Sequence, residues 1–85
     1  MQAKFTNRAL KDLKSIDKVA QKRILKKLKF FFDSPDPLAY AKQLSEFNDG
    51  DYRFRIGVYR VVFDANSQII TILRIQHRRE VYRKR

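Results

Sequence analysis

The stretch that decides the fold is YRFRIGVYRVVF, residues 52–63, in which two alternating apolar and basic runs meet at Gly57. Successive side chains of a strand point to opposite faces of a sheet. Alternation sends six apolar residues to one face: Tyr52, Phe54, Ile56, Tyr59, Val61 and Phe63. It sends Arg53, Arg55 and Arg60 to the other face. The stretch predicts two strands joined by a tight hairpin or a bulge at Gly57, with one core face and one basic face.

A third strand follows the hairpin. Residues 65–67 (Ala-Asn-Ser) form a turn signal, and QIITILRI, residues 68–75, is β-rich. Arg74 and Gln76 are two residues apart and so lie on the same face of the strand, and Arg78 joins them if the chain stays extended. Upstream, Asn-Asp-Gly at 48–50 predicts the turn that leads into the first strand of this sheet.

The first 37 residues predict an edge strand and two helices. Residues 2–5 read as the strand, and Thr6 or Asn7 can start a helix to about Ser15. Asp17 can cap a second helix over residues 18–32, and the Ser-Pro-Asp-Pro run at 34–37 ends it. Spacings of three and four residues predict the inward-facing side chains of the two helices. These are Ala9, Leu10, Leu13, Ala20, Ile24, Leu25, Leu28, Phe31 and Phe32. Residues 38–44 read as one short helical turn or a loop.

The predicted order is β-α-α-β-β-β in a single domain over residues 1–85. Two adjacent helices cannot connect parallel strands in a doubly wound way, so they are expected to form a hairpin on one face of a small antiparallel sheet. The fold class is therefore α+β, with the arginine face left open. The chain permits a short C-terminal helix from Arg78 or Arg79.

Composition excludes several classes of protein. There is no cysteine and only one histidine, so disulfides, thiolate chemistry and a structural zinc site are not expected, and no cofactor is implied. No apolar run approaches the ~20 residues that cross a bilayer, and no signal-peptide layout is present. We expect a cytoplasmic protein without a membrane partner.

A net charge of +11 predicts a polyanionic partner, either nucleic acid or a strongly acidic protein. The two basic residue types are unevenly placed. Nine lysines and two arginines lie in residues 1–50, whereas one lysine and eight arginines lie in residues 51–85. Lysine suits a solvated helix surface, and arginine presents a planar fork that matches phosphate.

Taken with the strand stretch, the segments ALKDLKSID (residues 9–17) and HRREVY (residues 77–82) make the chain resemble the RelE/ParE superfamily of toxins of toxin–antitoxin pairs. The resemblance covers nearly the whole chain. It implies a small cytoplasmic toxin that enters the ribosomal A site and cleaves mRNA, held inactive by an antitoxin that is acidic in its toxin-binding part. A second branch of the superfamily has a similar fold, targets DNA gyrase and lacks the ribonuclease residues.

The resemblance also implies site residues for the RNA-cleaving branch. Metal-free RNA cleavage needs a proton acceptor for the 2′-hydroxyl, a donor for the 5′-oxygen and positive charge on the phosphate. The positions that match are catalytic Arg60, Arg78, Tyr82 and His77, with Arg53 and Arg55 as phosphate ligands. Arg74 and Arg79 are further RNA-binding candidates. We expect Arg53, Arg55, Arg60 and Arg78 to converge on one cationic basin beside His77 and Tyr82.

The proton acceptor stays open at this stage. Histidine is the residue type whose reference pKa lies nearest neutrality, which makes His77 a candidate acid or base, whereas the reference pKa of tyrosine, ~10, makes Tyr82 a poor unaided base. Glu46 is out of register with the glutamate that some relatives use, and Glu80 more simply pairs with a nearby arginine. Each candidate also has a structural alternative. The arginines could be solvated or contact the antitoxin, His77 could only bond backbone, and Tyr82 could pack over the sheet end.

Three functions therefore remain in view: a ribosome-dependent endoribonuclease toxin, a non-catalytic toxin of gyrase or another protein, and an inactive basic module that binds nucleic acid.

Overall fold

The computed structural model describes residues 2–43, 52–66 and 68–78, which form two helices packed on one face of a sheet. In chain order the elements are β1 (Gln2–Phe5), α1 (Asn7–Lys14), α2 (Lys18–Asp33), a 3₁₀ turn (Pro37–Tyr40), β2 (Lys42–Gln43), β3 (Tyr52–Ile56), β4 (Tyr59–Ala65) and β5 (Ile69–His77). This arrangement confirms the predicted α+β fold and its β-α-α-β-β-β order. The short β2 and the 3₁₀ turn lie between the predicted helices and the predicted sheet.

The hairpin between β3 and β4 is tight. Gly57 has a φ of 59°, and Ile56 pairs directly with Tyr59 across a two-residue loop. A positive φ at the first loop position is what a type II′ turn requires, and glycine adopts it without steric cost. The glycine therefore turns the chain without a bulge.

The strand order is β1-β5-β4-β3-β2. The pairs β2–β3, β3–β4 and β4–β5 are antiparallel as predicted, but β1 and β5 are parallel, so the sheet is mixed. The all-antiparallel prediction was wrong for β1 because the chain leaves β1 through α1 and α2. A strand reached through such a long connection can run parallel to its neighbour.

Both helices begin at the predicted caps. The Thr6 hydroxyl accepts the Ala9 N–H at 3.1 Å, and the Asp17 carboxylate accepts the Ala20 N–H at 2.9 Å. Each bond satisfies one of the N–H groups that a helix start leaves without an intrahelical partner. The predicted turn before β5 also forms, since the Asn66 side chain accepts the N–H groups of Gln68 and Ile69.

The core lies between the helix layer and the apolar face of the sheet. Its centre is Phe54 and Phe63, both fully buried and stacked with ring centroids 4.4 Å apart. Phe31 of α2 stacks on the other side of Phe54 at 4.5 Å, which joins the two layers. Tyr52 and Tyr59 pack at the edge of this core.

Two leucines predicted to face inward are exposed. Leu10 is 39% exposed and Leu25 is 44% exposed. Both lie at the margin of the apolar stripe of their helix. Residues nearer the centre of each stripe, such as Leu13 and Leu28, are buried against the sheet. Two short helices on a small sheet leave such margins in water.

A β-bulge interrupts the pairing of β4 with β5. Val62 pairs with Arg74, and Phe63 pairs with Ile72, so Leu73 is the extra residue. Simple alternation would put Arg74 on the core face with Ile72. The bulge shifts the alternation by one, so that Ile75 is buried and Arg74 turns to the open face.

Asp12 of α1 holds the strand beside the bulge. Its Oδ2 accepts the Ile75 backbone N–H at 3.0 Å and the Arg74 Nε–H at 2.8 Å. The Thr6 hydroxyl donates to the Leu73 carbonyl at 3.1 Å. These bonds satisfy edge groups of β5 beyond the end of β1, where no strand covers them.

The predicted turn at residues 48–50 lies outside the described residues, as does the predicted C-terminal helix except for Arg78. No helix in the described part of the chain is long and apolar enough to cross a membrane.

Replacing Phe54 by alanine tests the ring contacts between the layers. We expect Phe54→Ala to lower the free energy of unfolding by about 3–5 kcal/mol, because it removes a fully buried ring between two others. Urea denaturation measures the change. Val58→Ala, at a side chain 48% exposed, is the matched control and should stay within about 0.5 kcal/mol of the unchanged protein. Equal effects of the two substitutions would contradict this packing.

Asp12 provides a second stability test. We expect Asp12→Ala to destabilise the fold by about 1–3 kcal/mol, because it leaves the Ile75 N–H and the partly buried Arg74 without their acceptor. Asp33→Ala removes an exposed pair with Lys29 and should cost less than about 1 kcal/mol. Thermal or urea unfolding compares the two variants. A loss at Asp12 no larger than at Asp33 would show that the clamp contributes nothing.

Candidate nucleic-acid interface

The open face of the sheet carries rows of basic side chains. Directly paired residues of adjacent strands share a face, and Arg55 pairs with Arg60, which in turn pairs with Gln76. The next row runs Lys42, Arg53, Val62 and Arg74 across four strands. The helices cover the opposite face, so these rows lie on the side of the sheet that faces away from the core.

Four arginines line one cavity of about 190 Å³ at the hairpin end of this face. They are Arg53, Arg55, Arg60 and Arg78, here called the arginine basin. The other lining residues in the described part of the chain are Gly57, Val58 and Tyr59. The structure thus brings together the four guanidinium groups that the sequence predicted to converge, although they are spread over 26 positions of the chain.

Arg78 reaches the basin through a backbone contact. Its N–H donates to the Val58 carbonyl at 2.7 Å, which ties the end of β5 to the β3–β4 turn. The bond helps to fix the direction in which the chain leaves β5 at Arg78. The hairpin turn therefore positions Arg78, and it also joins β3 and β4, the two strands that carry the other three arginines of the basin.

His77 does not line the basin. It pairs with Tyr59 across the strands, and the two rings meet edge to face at 5.4 Å. Tyr59 also pairs with Ile56, which is buried on the helix side, so His77 points to the core face. The sequence predicted that the basin lies beside His77, and the His77 ring contacts Tyr59, which lines the basin, without itself being one of the described lining residues. The bulge at Leu73 shifts the alternation of β5 by one residue. His77 therefore lies on the face opposite to the one that unbroken alternation from Ile72 would give.

The other predicted site residues have separate positions. Arg74 is only 17% exposed in its side chain and donates to Asp12, so it forms part of the contact between β5 and α1 and not of the cavity lining. Arg79 and Tyr82 lie outside the described residues. Lys42 and Gln76 were not predicted as site residues, yet they stand opposite Arg53 and Arg60 on the open face. The alternation of β5 already grouped Gln76 with Arg74 and Arg78, whereas only the strand register reveals Lys42.

The basin concentrates like charges. Arg55 and Arg60 are directly opposite each other on neighbouring strands, an arrangement that destabilises a sheet. An anion placed between them would relieve that repulsion, and guanidinium groups can each donate two bonds to one phosphate. The geometry suits binding of a phosphate group with its charge spread over several oxygens.

A family model described as "ParE toxin of type II toxin-antitoxin system, parDE" matches residues 3–82. The chain belongs to this family of toxins, within the RelE/ParE superfamily. It is therefore the toxin of a toxin–antitoxin system. A search of curated proteins gave no match.

Solved structures of toxin–antitoxin systems are similar to it throughout. A chain of the RelBE2 complex from Mycobacterium tuberculosis has a TM-score of 0.74 at 26% identity, covering 89% of this chain and 95% of that one. A chain of the RelE–RelB complex from Pyrococcus horikoshii OT3 has a TM-score of 0.70 at 29% identity, covering 91% and 93%. The chromosomal ParDE system from P. aeruginosa shares the fold with a TM-score of 0.71 at 22% identity, covering 91% and 95%.

The opposed pair in the basin can be tested by stability alone. We expect Arg55→Thr to raise the free energy of unfolding by about 0.2–1 kcal/mol at low salt, because it removes the repulsion with Arg60. Urea denaturation at low and at high salt measures it. Arg55→Lys keeps the charge and is the control. Screening should shrink the difference between the two variants as salt rises. A difference that does not depend on salt would exclude charge repulsion as its cause.

Proposed function

We propose that this toxin cleaves mRNA in the ribosomal A site and that the arginine basin holds the scissile phosphate. The observation that supports the proposal is the convergence of Arg53, Arg55, Arg60 and Arg78 on one cavity. The resemblance to the RNA-cleaving branch leads to the same residues. The structures from M. tuberculosis and P. horikoshii, which are RelBE complexes more than 25% identical to this chain, add support.

The proposed reaction needs no metal. The 2′-oxygen attacks the adjacent phosphorus, a P–O2′ bond forms, and the P–O5′ bond breaks. The products are a 2′,3′-cyclic phosphate and a free 5′-hydroxyl. The proton from the 2′-hydroxyl goes to an acceptor, and a donor supplies one to the leaving 5′-oxygen.

The arginines would stabilise the negative charge that develops on the phosphate in the transition state. Negative charge builds up on the non-bridging oxygens as the phosphorus becomes five-coordinate, and donors already aimed at those oxygens stabilise it. Guanidinium groups suit this role because they remain protonated and keep a rigid fork. Arg60 lies on β4, the central strand of the five-stranded sheet, with Arg55 beside it, so we assign it the largest share.

The acid and base are a separate part of the proposal. Within residues 2–43, 52–66 and 68–78, the side chains that line the basin are arginines, Val58 and Tyr59, and none of these residue types titrates near neutrality unperturbed. His77 faces the helix layer. We therefore assign proton transfer to Tyr82, as a proton donor, and to groups that the ribosome and the mRNA bring to the basin; a tyrosine at this position could also stack on a base. Such a division would make cleavage depend on the ribosome.

We further propose a cognate antitoxin as partner. The similar structures from M. tuberculosis and P. horikoshii are described as toxin–antitoxin complexes. A protein with a net charge of +11 would attract a partner whose toxin-binding segment is acidic. We place both partners, antitoxin and ribosome, in the cytoplasm.

A second candidate is inhibition of DNA gyrase without catalysis. Two observations favour it: the matching family model is that of ParE toxins, and no lining side chain in the described part of the chain is of a type that titrates near neutral pH unperturbed. In that case the same arginines would contact an acidic protein surface or DNA.

Expression of variants in cells separates the two functions. We expect the unchanged toxin to stop growth and to leave mRNA cut within codons, as mapped by primer extension. Arg60→Ala should lower the cleavage rate on purified ribosomes by about 10²-fold, because it removes one preorganised donor from the phosphate. Lys14→Ala, an exposed charge on α1, is the control and should cleave normally.

The contrary result is also specific. Intact mRNA together with impaired DNA supercoiling, relieved by Arg60→Ala, would overturn the ribonuclease proposal and select gyrase. Full cleavage by Arg60→Ala would remove the basin from the chemistry. Harmless expression with intact mRNA and normal supercoiling would leave an inactive nucleic-acid-binding module.

A further inference from the structure

A column of stacked aromatic rings runs from the sheet, past Phe31 of α2, to Tyr40 in the 3₁₀ turn. Four successive pairs stack with centroids 4.4–5.6 Å apart and interplanar angles of 21–28°. The rings, in order, are Tyr52, Phe63, Phe54, Phe31 and Tyr40. The middle members are buried, so the column is fixed within the core.

The column ends at the surface on Tyr40. This side chain is 48% exposed, and its ring stacks on the buried Phe31. Phe30, 54% exposed, meets it edge to face at 5.7 Å. Lys27 places its Nζ 5.4 Å from the Phe30 ring centroid. These three residues, Tyr40, Phe30 and Lys27, are called here the aromatic platform.

A row of lysines leads along α2 to the platform. Lys18, Lys22, Lys26 and Lys29 follow at steps of four, four and three residues, which spaces them about 4.5–6 Å apart along the helix axis. Of the basic residues of α2, Lys29 is the one whose pair with a carboxylate is seen within the described residues, and that pair, with Asp33, is exposed. The exposed side of the helix is therefore rich in lysine, and Phe30 lies near the C-terminal end of that row.

We propose that the aromatic platform and the lysine row bind single-stranded RNA at a site separate from the arginine basin. A base would stack on Tyr40 and continue the column, while Lys26 and Lys27 contact the flanking phosphates. A positive track with aromatic side chains on which bases stack is the usual way in which proteins hold single strands. Held by the column, the Tyr40 ring loses little freedom when a base covers it.

The pattern of apolar residues favours RNA over a protein helix as the occupant. An amphipathic helix needs a continuous apolar groove. The other exposed apolar residues of α2, Val19 and Leu25, stand apart from Phe30, with lysine or arginine between them. Isolated rings in a cationic surface suit stacked bases joined by phosphates.

The proposal does not rest on RNA cleavage. The platform lies in the helix layer, and the arginine basin lies on the opposite face of the sheet. A toxin that targets gyrase could retain the RNA site, and an RNA-cleaving toxin could lack it. If both hold, the platform would grip a single-stranded loop of structured RNA while the basin engages the message.

Two RNA probes isolate the stacking contribution. Fluorescence anisotropy with the purified full-length toxin would compare a 12-nucleotide oligouridine with an abasic strand of equal length and charge. We expect Phe30→Leu/Tyr40→Leu to weaken oligouridine binding by about tenfold or more and to leave abasic binding unchanged, because only stacking is lost. Phe30→Tyr/Tyr40→Phe keeps both rings and should bind both probes normally. Leu25→Ala, an exposed apolar change elsewhere on α2, should do the same.

The lysine row has its own signature. Lys22→Gln/Lys26→Gln should weaken both probes alike and reduce the dependence of log affinity on log salt by about 1.4, since each phosphate contact to a single strand contributes about 0.7. Arg60→Ala, tested beside it, should leave the ratio of the two affinities unchanged. That control separates failure of this proposal from failure of the cleavage proposal.

Three outcomes would overturn the inference. One is an unchanged oligouridine affinity in the leucine double variant when its melting temperature is normal. Another is equal weakening of both probes by that variant, which would mean loss of fold or charge and not of stacking. The third is a result in which the leucine double variant loses as much affinity for a polyglutamate peptide as it loses for oligouridine. That result would assign the surface to an acidic protein.

Discussion

The carboxylate of Asp12 and the bulge beside it set the alternation of the last strand, and the open face depends on that alternation. One oxygen accepts both the Ile75 N–H and the Arg74 side chain, while the Thr6 hydroxyl holds the Leu73 carbonyl. With one residue set aside, Ile70, Ile72 and Ile75 can all be buried although their spacing is uneven. The end of β5 then points Gln76 toward Arg60 and His77 toward the core.

The two layers of the molecule carry different basic residues. The helices carry lysines whose long stems lie over apolar surface with their ammonium groups in water. The open face of the sheet carries arginines gathered around a tight turn, where like charges oppose each other. Repulsion between like charges around one cavity lowers the stability of the fold. Such local destabilisation is common at sites that bind a charged ligand.

Much of the fold could be predicted because local signals agreed with each other. Thr6 and Asp17 are strong caps, Gly57 permits a positive φ, and the alternation in β3 and β4 is regular. The convergence of Arg53, Arg55 and Arg60 followed from that alternation alone. Arg78 could be placed only by assuming an extended chain, and a backbone bond to Val58 in fact fixes it.

The features of the fold and site that could not be predicted depend on contacts between segments that are distant in the sequence. No local pattern marks Leu73 as the residue to be set aside, because Ile72, Leu73 and Ile75 are all apolar. The bulge is selected by α1, 60 residues earlier, and with it the direction of His77. The parallel pairing of β1 was hidden for the same reason, and so were Lys42 and Gln76 as neighbours of the basin arginines.

The parallel pairing of β1 with β5 has a consequence for the order of events during synthesis. These strands are separated by nearly the whole described chain, and the Thr6–Leu73 bond spans 67 positions. Pairings at such separation close slowly, because the loop entropy is lost before the contact forms. The nascent polypeptide therefore cannot complete its sheet, or fix Arg78 against the turn, until residues 69–78 have emerged from the ribosome. Until then the newly made protein lacks its assembled cationic face, which delays the moment at which it can harm the cell that makes it.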